Sequence, residues 1–244
     1  MIYGIVLAGG SGKRFGTDIP KQYIEVNGKP LLYYTLKAFE ESPADKIIIV
    51  AGENWMQFVV SDIVDRFGLK KVIRVCQGGA ERFDSVHHGL DDIKEIAGEE
   101  DIVLIHDGAR PFVKAVEINA MAKAAAAYGA AIAAMPVKDT IKISDEEGFV
   151  TATTVRANTW QIQTPQAFLY GLIKDAYDKA GAMYWKTAQE KKDNLVPAGV
   201  VFTDDSMVLE AIFPNQKIKL VPLSYENIKI TTPDDLEVAK AHLK

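Results

Sequence analysis

Residues 2–16 read IYGIVLAGGSGKRFG: an apolar, β-branched run from Ile2 to Leu7 breaks into Ala8-Gly9-Gly10-Ser11-Gly12-Lys13-Arg14-Phe15-Gly16. A glycine-rich loop at the end of a first strand lets backbone N–H groups approach a phosphate with no Cβ in the way. Two well-known loops of this kind do not fit. A dinucleotide fingerprint starting at Gly10 needs Gly or Ala at position 15, where Phe15 stands. A Walker loop ending in Gly12-Lys13 needs Gly at 7 and Ser or Thr at 14, where the chain has Leu7 and Arg14. What remains is a glycine loop that carries cations: Lys13, Arg14 and, after Pro20, Lys21. Such a loop can wrap a triphosphate and set positive charge against it. A tight turn with solvated basic residues is the plainer alternative.

Outward from this loop, short β-branched runs alternate with longer amphipathic segments. That pattern predicts one α/β domain over residues 1–244, with a Rossmann-like, mostly parallel sheet covered by helices. Strands are expected at 2–7, 46–50, 71–75, 102–106, 130–135 and 217–221. Helices are expected at 31–40, 54–67, 85–96, 116–128, 166–179 and 205–212. A last helix is announced by Thr232-Pro233-Asp234-Asp235, with a capping Thr, a Pro suited to the first turn, and acids at the positive end of the dipole. Residues 137–160 break the alternation. Two β-rich runs flank Glu146-Glu147-Gly148, a hairpin signature. Such an arm must bury one face, either on a partner subunit or as a small subdomain on its own chain.

Composition narrows the function. The 244 residues are 48% hydrophobic and 25% charged, which fits a folded core and excludes extended disorder. A net charge of −5 argues against nucleic acid as a partner. No apolar run reaches the roughly 18–20 residues that cross a bilayer, so no membrane association is expected. The start, MIYGIVLAGG, lacks the basic region and cleavage site of a signal peptide. Cys76 is the single cysteine, which rules out an intrachain disulfide and a Cys-based zinc site and points to the cytoplasm. The four histidines form no evident Ser/His/Asp arrangement; His87 and His88, being adjacent, point to different helix faces.

Seven motifs then carry a resemblance. LAGGSGKRFG with PKQY, GGAERFDSVHHGL, IHDGARPF, PVKDTIK, QTPQAF, TDDS and NIKITTPDDL resemble, in order and over nearly the whole chain, the motifs of the polyol-phosphate cytidylyltransferases. The resemblance implies a nucleotide-diphospho-sugar transferase type of fold. It also implies a reaction of CTP with a polyol phosphate that gives a CDP-polyol and pyrophosphate, with Mg²⁺ or another divalent cation as cofactor. A phosphate monoester is mostly dianionic at pH 7, so the nucleophile needs no general base, and catalysis rests on positioning and charge neutralisation.

By the same resemblance, Arg14, Lys21 and Lys229 act on the triphosphate and the transition state. Leu7, Ala8, Gly9, Gly10, Ser11, Gly12, Gly79, Ala80 and Ser85 bind CTP. Asp107, Arg110, Thr140, Arg156, Thr164 and Thr203 bind the acceptor, and Asp107 also serves the metal. The 137–160 arm is implied to cross to a second subunit, giving a homodimer with shared sites. Read without the resemblance, Lys229 is a strand-edge lysine, Ser85 a helix cap, and Asp107 with Arg110 a pair that shapes a loop.

The double-glycine opening looks closer to the ribitol-phosphate branch of the family. The downstream motifs, which build the acceptor pocket, look closer to the methylerythritol-phosphate branch of isoprenoid-precursor synthesis. The second reading is favoured. Residues 184–198 read as an insertion before TDDS. A hexose-1-phosphate nucleotidyltransferase is not expected to carry NIKIT or the arm. A NAD-dependent dehydrogenase fails at Phe15, and a non-catalytic module is not expected to keep Arg14, Lys21 and Lys229.

Overall fold

The computed structural model describes residues 1–10, 19–189 and 202–243, residues 184–189 by their backbone alone. In chain order the elements are β1 (Ile2–Ala8), β2 (Glu25–Val26), β3 (Lys29–Pro30), α1 (Leu31–Glu40) and β4 (Lys46–Ala51). Then come α2 (Met56–Phe58), running on as a π-helical stretch Val59–Asp65, β5 (Val72–Gln77), α3 (Arg82–Asp92), β6 (Ile102–Asp107) and α4 (Ala115–Tyr128). The second half holds β7 (Ala130–Pro136), β8 (Lys142–Ser144), β9 (Val150–Thr153), β10 (Trp160–Leu169), α5 (Tyr170–Gln189), α6 (Asp205–Ile212), β11 (Lys219–Pro222) and α7 (Pro233–His242).

Seven strands form one sheet in the order β11-β7-β10-β6-β1-β4-β5. Every neighbouring pair is parallel except the two made by β10, which runs against both β6 and β7. The strands are apolar on both faces because helices cover both. Along β4, Ile47 and Ile49 join Leu36, Phe39, Ile63 and Met121 on one side, while Ile48 and Val50 join Val86, Leu90, Ile173 and Tyr177 on the other. Successive side chains of a strand point to opposite faces, so four consecutive aliphatics serve two cores. Burying each of them fully stabilises the fold by about 1.5–3 kcal/mol. A third cluster, with Val26, Leu31, Tyr34, Ile230, Leu236 and Leu243, docks α7 against β2 and α1.

From β1 the chain passes to β4 and β5 on one side and then returns to β6 on the other. The carboxyl ends of β1 and β6 therefore flank the point where strand order reverses, the place where open α/β sheets bind ligands. Among the described residues no helix is long and apolar enough to cross a membrane.

Most expected elements appear, some with shifted ends. The helix expected at 166–179 needs correction: residues 160–169 are strand β10, and α5 begins only at Tyr170. The misleading signal is Thr164-Pro165, which imitates the Thr232-Pro233 helix start. Gln166 added to it, because a glutamine reads as surface while here it is fully buried. Its Oε1 accepts from the N–H groups of Asp205 and Ser206 at 3.0 and 2.9 Å, and its Nε2 donates to Asp204 at 3.0 Å, so burial leaves its amide satisfied. The 54–67 helix is a composite of 3₁₀, α and π turns. The small β2–β3 hairpin was not anticipated, although Asn27-Gly28, both at positive φ, is the sequence signature of its turn. The arm forms as expected, with β8 paired antiparallel to β9. Thr232 caps α7 by accepting from the Asp235 N–H at 3.3 Å, and Asp235 accepts in return from the Thr232 N–H at 2.8 Å. Much of the expected 184–198 insertion (residues 190–198) lies outside the described residues.

Candidate active site

Three segments converge at the switch point. The first is the end of β1. The Ala8 carbonyl accepts from Gln22 Nε2 at 2.7 Å and from the Tyr23 hydroxyl at 2.8 Å, and the Gly10 carbonyl accepts from the same Gln22 amide at 3.0 Å. PKQY thus folds back on the start of the glycine loop. Trp55 stacks on Tyr23 with ring centroids 4.7 Å apart, holding that turn from behind.

The second segment follows β5. The Ser85 hydroxyl accepts from the Gly79 N–H at 3.1 Å and donates to the Glu81 carbonyl at 3.0 Å. A Cβ on Gly79 would fall 2.1 Å from the Asp84 Cβ, so only glycine lets this loop lie on the start of α3. That helix start is closed by reciprocal bonds between Glu81 and Asp84.

The third segment is the end of β6. Asp107 is buried, yet three cations face it: Lys229 Nζ at 2.9 Å and Arg110 Nε at 3.6 Å from Oδ2, and Arg82 Nε at 3.6 Å from Oδ1. Burial alone would raise the Asp107 pKa, but the charges of Arg82, Lys229 and Arg110 outweigh it. They hold the carboxyl well below the usual carboxylate range. Arg82 in turn makes a two-point pair with Asp205, both contacts at 2.7 Å, and the Tyr177 hydroxyl donates to Asp205 at 2.7 Å. Despite burial, the Asp205 charge holds Arg82 firmly protonated.

Behind Asp107, His106 is fully buried, and its imidazole pKa is lowered to about 4, first by burial and then by the charges of Arg110 and Lys229. Its Nε2 faces the Arg110 carbonyl at 3.3 Å. A carbonyl can only accept, so Nε2 carries the hydrogen, and Nδ1 accepts from the Thr164 hydroxyl at 3.0 Å. That hydroxyl accepts from the Asp107 N–H at 3.0 Å.

Together these segments line a cleft with a cavity volume of about 350 Å³. Nine expected residues line it: Leu7, Gly9, Gly10, Lys21, Gly79, Ala80, Ser85, Asp107 and Lys229. Ala8 lies buried beneath it. Arg110 is turned toward the Asn227 carbonyl, to which its Nη1 donates at 2.9 Å. Thr164 is buried in the wall, with its hydroxyl committed to His106 and Asp107. Thr140 and Arg156 sit exposed on the arm, and Thr203 is exposed at the start of α6, its hydroxyl donating to Met207 Sδ at 3.1 Å. Arg14, Ser11 and Gly12 lie outside the described residues. Sequence reasoning missed Arg82, Gln22, Glu81 and Ala109 in the lining. Arg82 was legible as the one cation inside GGAERFDS; its partner Asp205, 123 positions away, was not.

A protein-held divalent cation is a poor fit to this cleft. Of the two carboxylates that line it among the described residues, Asp107 faces three cations and Glu81 accepts from the start of α3. Among the described residues, the one group of His and carboxylate side chains close enough to share an ion is His87, Asp91 and Asp178. The Lys174 ammonium already sits there, 2.9 Å from Asp91 and 2.5 Å from Asp178.

The comparisons with known proteins agree with one another. The family model described as IspD, 2-C-methyl-D-erythritol 4-phosphate cytidylyltransferase, matches residues 2–244. A curated enzyme of that name from Lachnospira eligens is 46% identical over 241 residues, covering 98% of each chain. Another, from Alkaliphilus oremlandii, is 43% identical over 98% of this chain and 94% of its own. Among solved structures, 4-diphosphocytidyl-2C-methyl-D-erythritol synthase from Anaerococcus prevotii superposes with a TM-score of 0.79 at 32% identity, covering 99% of this chain and 95% of that one. The Francisella tularensis 2-C-methyl-D-erythritol 4-phosphate cytidylyltransferase gives 0.76 at 33% identity, with 99% of each chain covered. With a family model matched over residues 2–244 and a relative 46% identical over 98% of its length, the chain belongs to the 2-C-methyl-D-erythritol 4-phosphate cytidylyltransferase family.

Proposed function

We propose that the chain transfers CMP from CTP to 2-C-methyl-D-erythritol 4-phosphate, giving CDP-methylerythritol and pyrophosphate, a step of isoprenoid-precursor synthesis in the cytoplasm. The observation that carries this reading is the convergence of Lys21, Arg82 and Lys229 with the two glycine segments in one cleft at the switch point. An acceptor phosphate oxygen attacks the α-phosphorus of CTP. The new O–P bond forms as the bond to the β-phosphate oxygen breaks, and pyrophosphate leaves with the electron pair. The acceptor is already mostly deprotonated at pH 7. The histidine nearest the cleft, His106, is neutral and spent on Thr164 and the Arg110 carbonyl, so no residue need act as a base.

What the protein supplies is positive charge set in advance. Arg14 and Lys21 neutralise the triphosphate and, with Lys229, the charge gathering on the pentacoordinate phosphorus. Asp107 fixes the Lys229 ammonium at 2.9 Å, and its Oδ1 can accept a polyol hydroxyl. Gly79, Ala80 and Ser85 form the nucleoside wall, where the Ser85 hydroxyl, already bonded twice, shapes the loop. Mg²⁺ or a similar cation prefers oxygen ligands, and here it would take them from the triphosphate and water rather than from Asp107.

The arm supports a homodimer. Ile143, Phe149, Val150 and Val155 are each more than half exposed, an apolar load that a second copy of the arm's surroundings would cover. Thr140 and Arg156, on that arm, would then grip the acceptor phosphate in the neighbouring site.

Pyrophosphate release from CTP and Mg²⁺, with methylerythritol 4-phosphate and D-ribitol 5-phosphate as parallel acceptors, tests the reading. The expected result is a kcat/KM at least about 10²-fold higher for the first, because a polyol pocket built for one set of hydroxyls leaves polar groups unpaired with another. Equal rates, or a preference for ribitol phosphate, would contradict it.

A further inference from the structure

The segment before Lys229 is tied to both roots of the arm. On the entry side, the Tyr225 hydroxyl donates to the Pro136 carbonyl at 2.8 Å, and Lys138 Nζ lies 3.6 Å from the centre of the Tyr225 ring. On the exit side, Gln163 Nε2 donates to the Ser224 carbonyl at 3.1 Å, and Asn227 Nδ2 donates to Gln163 Oε1 and to the Thr164 carbonyl at 3.2 and 2.8 Å. Val137 N–H donates to the Thr159 carbonyl at 3.1 Å, which joins the two roots to each other.

Past Lys229, the Ile230 N–H donates to the Ala109 carbonyl at 2.8 Å. Lys229 therefore stands between two fully buried residues, Asn227 and Ile230. Its ammonium meets Asp107 at the end of a backbone whose placement is set by the arm's base. Asn227 is fully buried, whereas Tyr225 is 40% exposed and meets the arm at its entry.

We propose that Tyr225 is a positioning residue for Lys229, joining the entry strand of the arm to the ammonium that faces the transferred phosphorus. This rests on the role given to Lys229 above. The chemistry is one of register. The arm carries the acceptor-gripping Thr140 and Arg156, and the 224–229 segment carries the charge that must meet the same phosphate. A misplacement of about 1 Å at such a centre can cost about 10²-fold in rate. Tyr225 contributes a hydroxyl bond to the strand and a ring under Lys138, both at the surface, so losing them shifts the segment without opening the core.

The test compares Tyr225→Leu, which removes both contacts, Tyr225→Phe, which keeps the ring, and Lys229→Met, singly and with Tyr225→Leu added, in the full-length protein. Turnover of Tyr225→Leu should fall about tenfold with an unchanged KM for CTP and an unchanged melting temperature, and Tyr225→Phe should recover part of the loss. In the Lys229→Met background, adding Tyr225→Leu should have no further effect on turnover, because the residue acts only through that lysine. Tyr225→Leu turnover within about twofold of wild type beside a crippled Lys229→Met would overturn the inference. So would an undiminished Tyr225→Leu effect in the Lys229→Met background. Full turnover of Lys229→Met alone would instead overturn the role of Lys229, and this inference with it.

Discussion

Replacing Lys229 with methionine lowers turnover by about 10²-fold or more and leaves the fold intact. The side chain is 39% exposed and packs no core, so little stability is at stake. Its ammonium is the closest of the three cations to Asp107, and it lines the cleft beside Lys21. Methionine keeps the length and removes the charge. Asp107 stays ionised, since Arg82 and Arg110 still face it, but the charge gathering on the transferred phosphoryl group loses a fixed counter-ion. An interaction made only in the transition state lowers kcat and kcat/KM together, so the KM for CTP should hardly move. Steady-state kinetics with purified variant check this. Turnover within about threefold of wild type would remove Lys229 from the chemistry.

The second large effect is on stability. Changing Arg82 to methionine should cost about 3–5 kcal/mol, because it leaves the fully buried Asp205 carboxylate without its cation. For a domain of this size that corresponds to a fall of about 6–20 °C in melting temperature. The Tyr177 hydroxyl at 2.7 Å and the N–H groups around α6 cannot replace a guanidinium held at two points. Adding Asp205→Leu to Arg82→Met should recover part of the loss, since an apolar pair no longer strands a charge. Thermal or urea unfolding of the three proteins decides it. A single-variant cost below about 1 kcal/mol would mean that the pair is solvated and contributes little.

The sequence made the frame and half the cleft readable for identifiable reasons. Runs such as Ile47-Ile48-Ile49-Val50, short and β-branched, read as strands buried on both faces, and their alternation with helical segments points to a mostly parallel sheet. Gly79 announces itself because a Cβ there would fall 2.1 Å from the Asp84 Cβ, and the glycine loop is legible from its place directly after the first strand. What escaped was long-range and polar. β10 was hidden because the buried Gln166 owes its place to Asp204, Asp205 and Ser206, partners about 40 positions ahead. The Arg82–Asp205 pair and the Thr164–His106–Asp107 chain likewise exist only once α3, α6, β6 and β10 are packed. Thr164 was expected at the acceptor. Its hydroxyl also accepts from the Asp107 N–H at 3.0 Å, a contact that spacing along the chain does not encode.

On the proposed mechanism the cleft works by fixed positive charge and uses no base, and the pH dependence of kcat/KM for the acceptor at saturating CTP and metal decides it. His106 titrates at about 4, well below the working range, and is enclosed by Thr164 and the Arg110 carbonyl. The expected profile has a single ionisation near pH 6, that of the acceptor phosphate itself, followed by a plateau to about pH 9. Lowering the acceptor's own pKa by chemical substitution should move that ionisation with it. A bell-shaped profile, or an ionisation near pH 7 that stays put when the acceptor's pKa is changed, would reveal an enzyme base and overturn the mechanism.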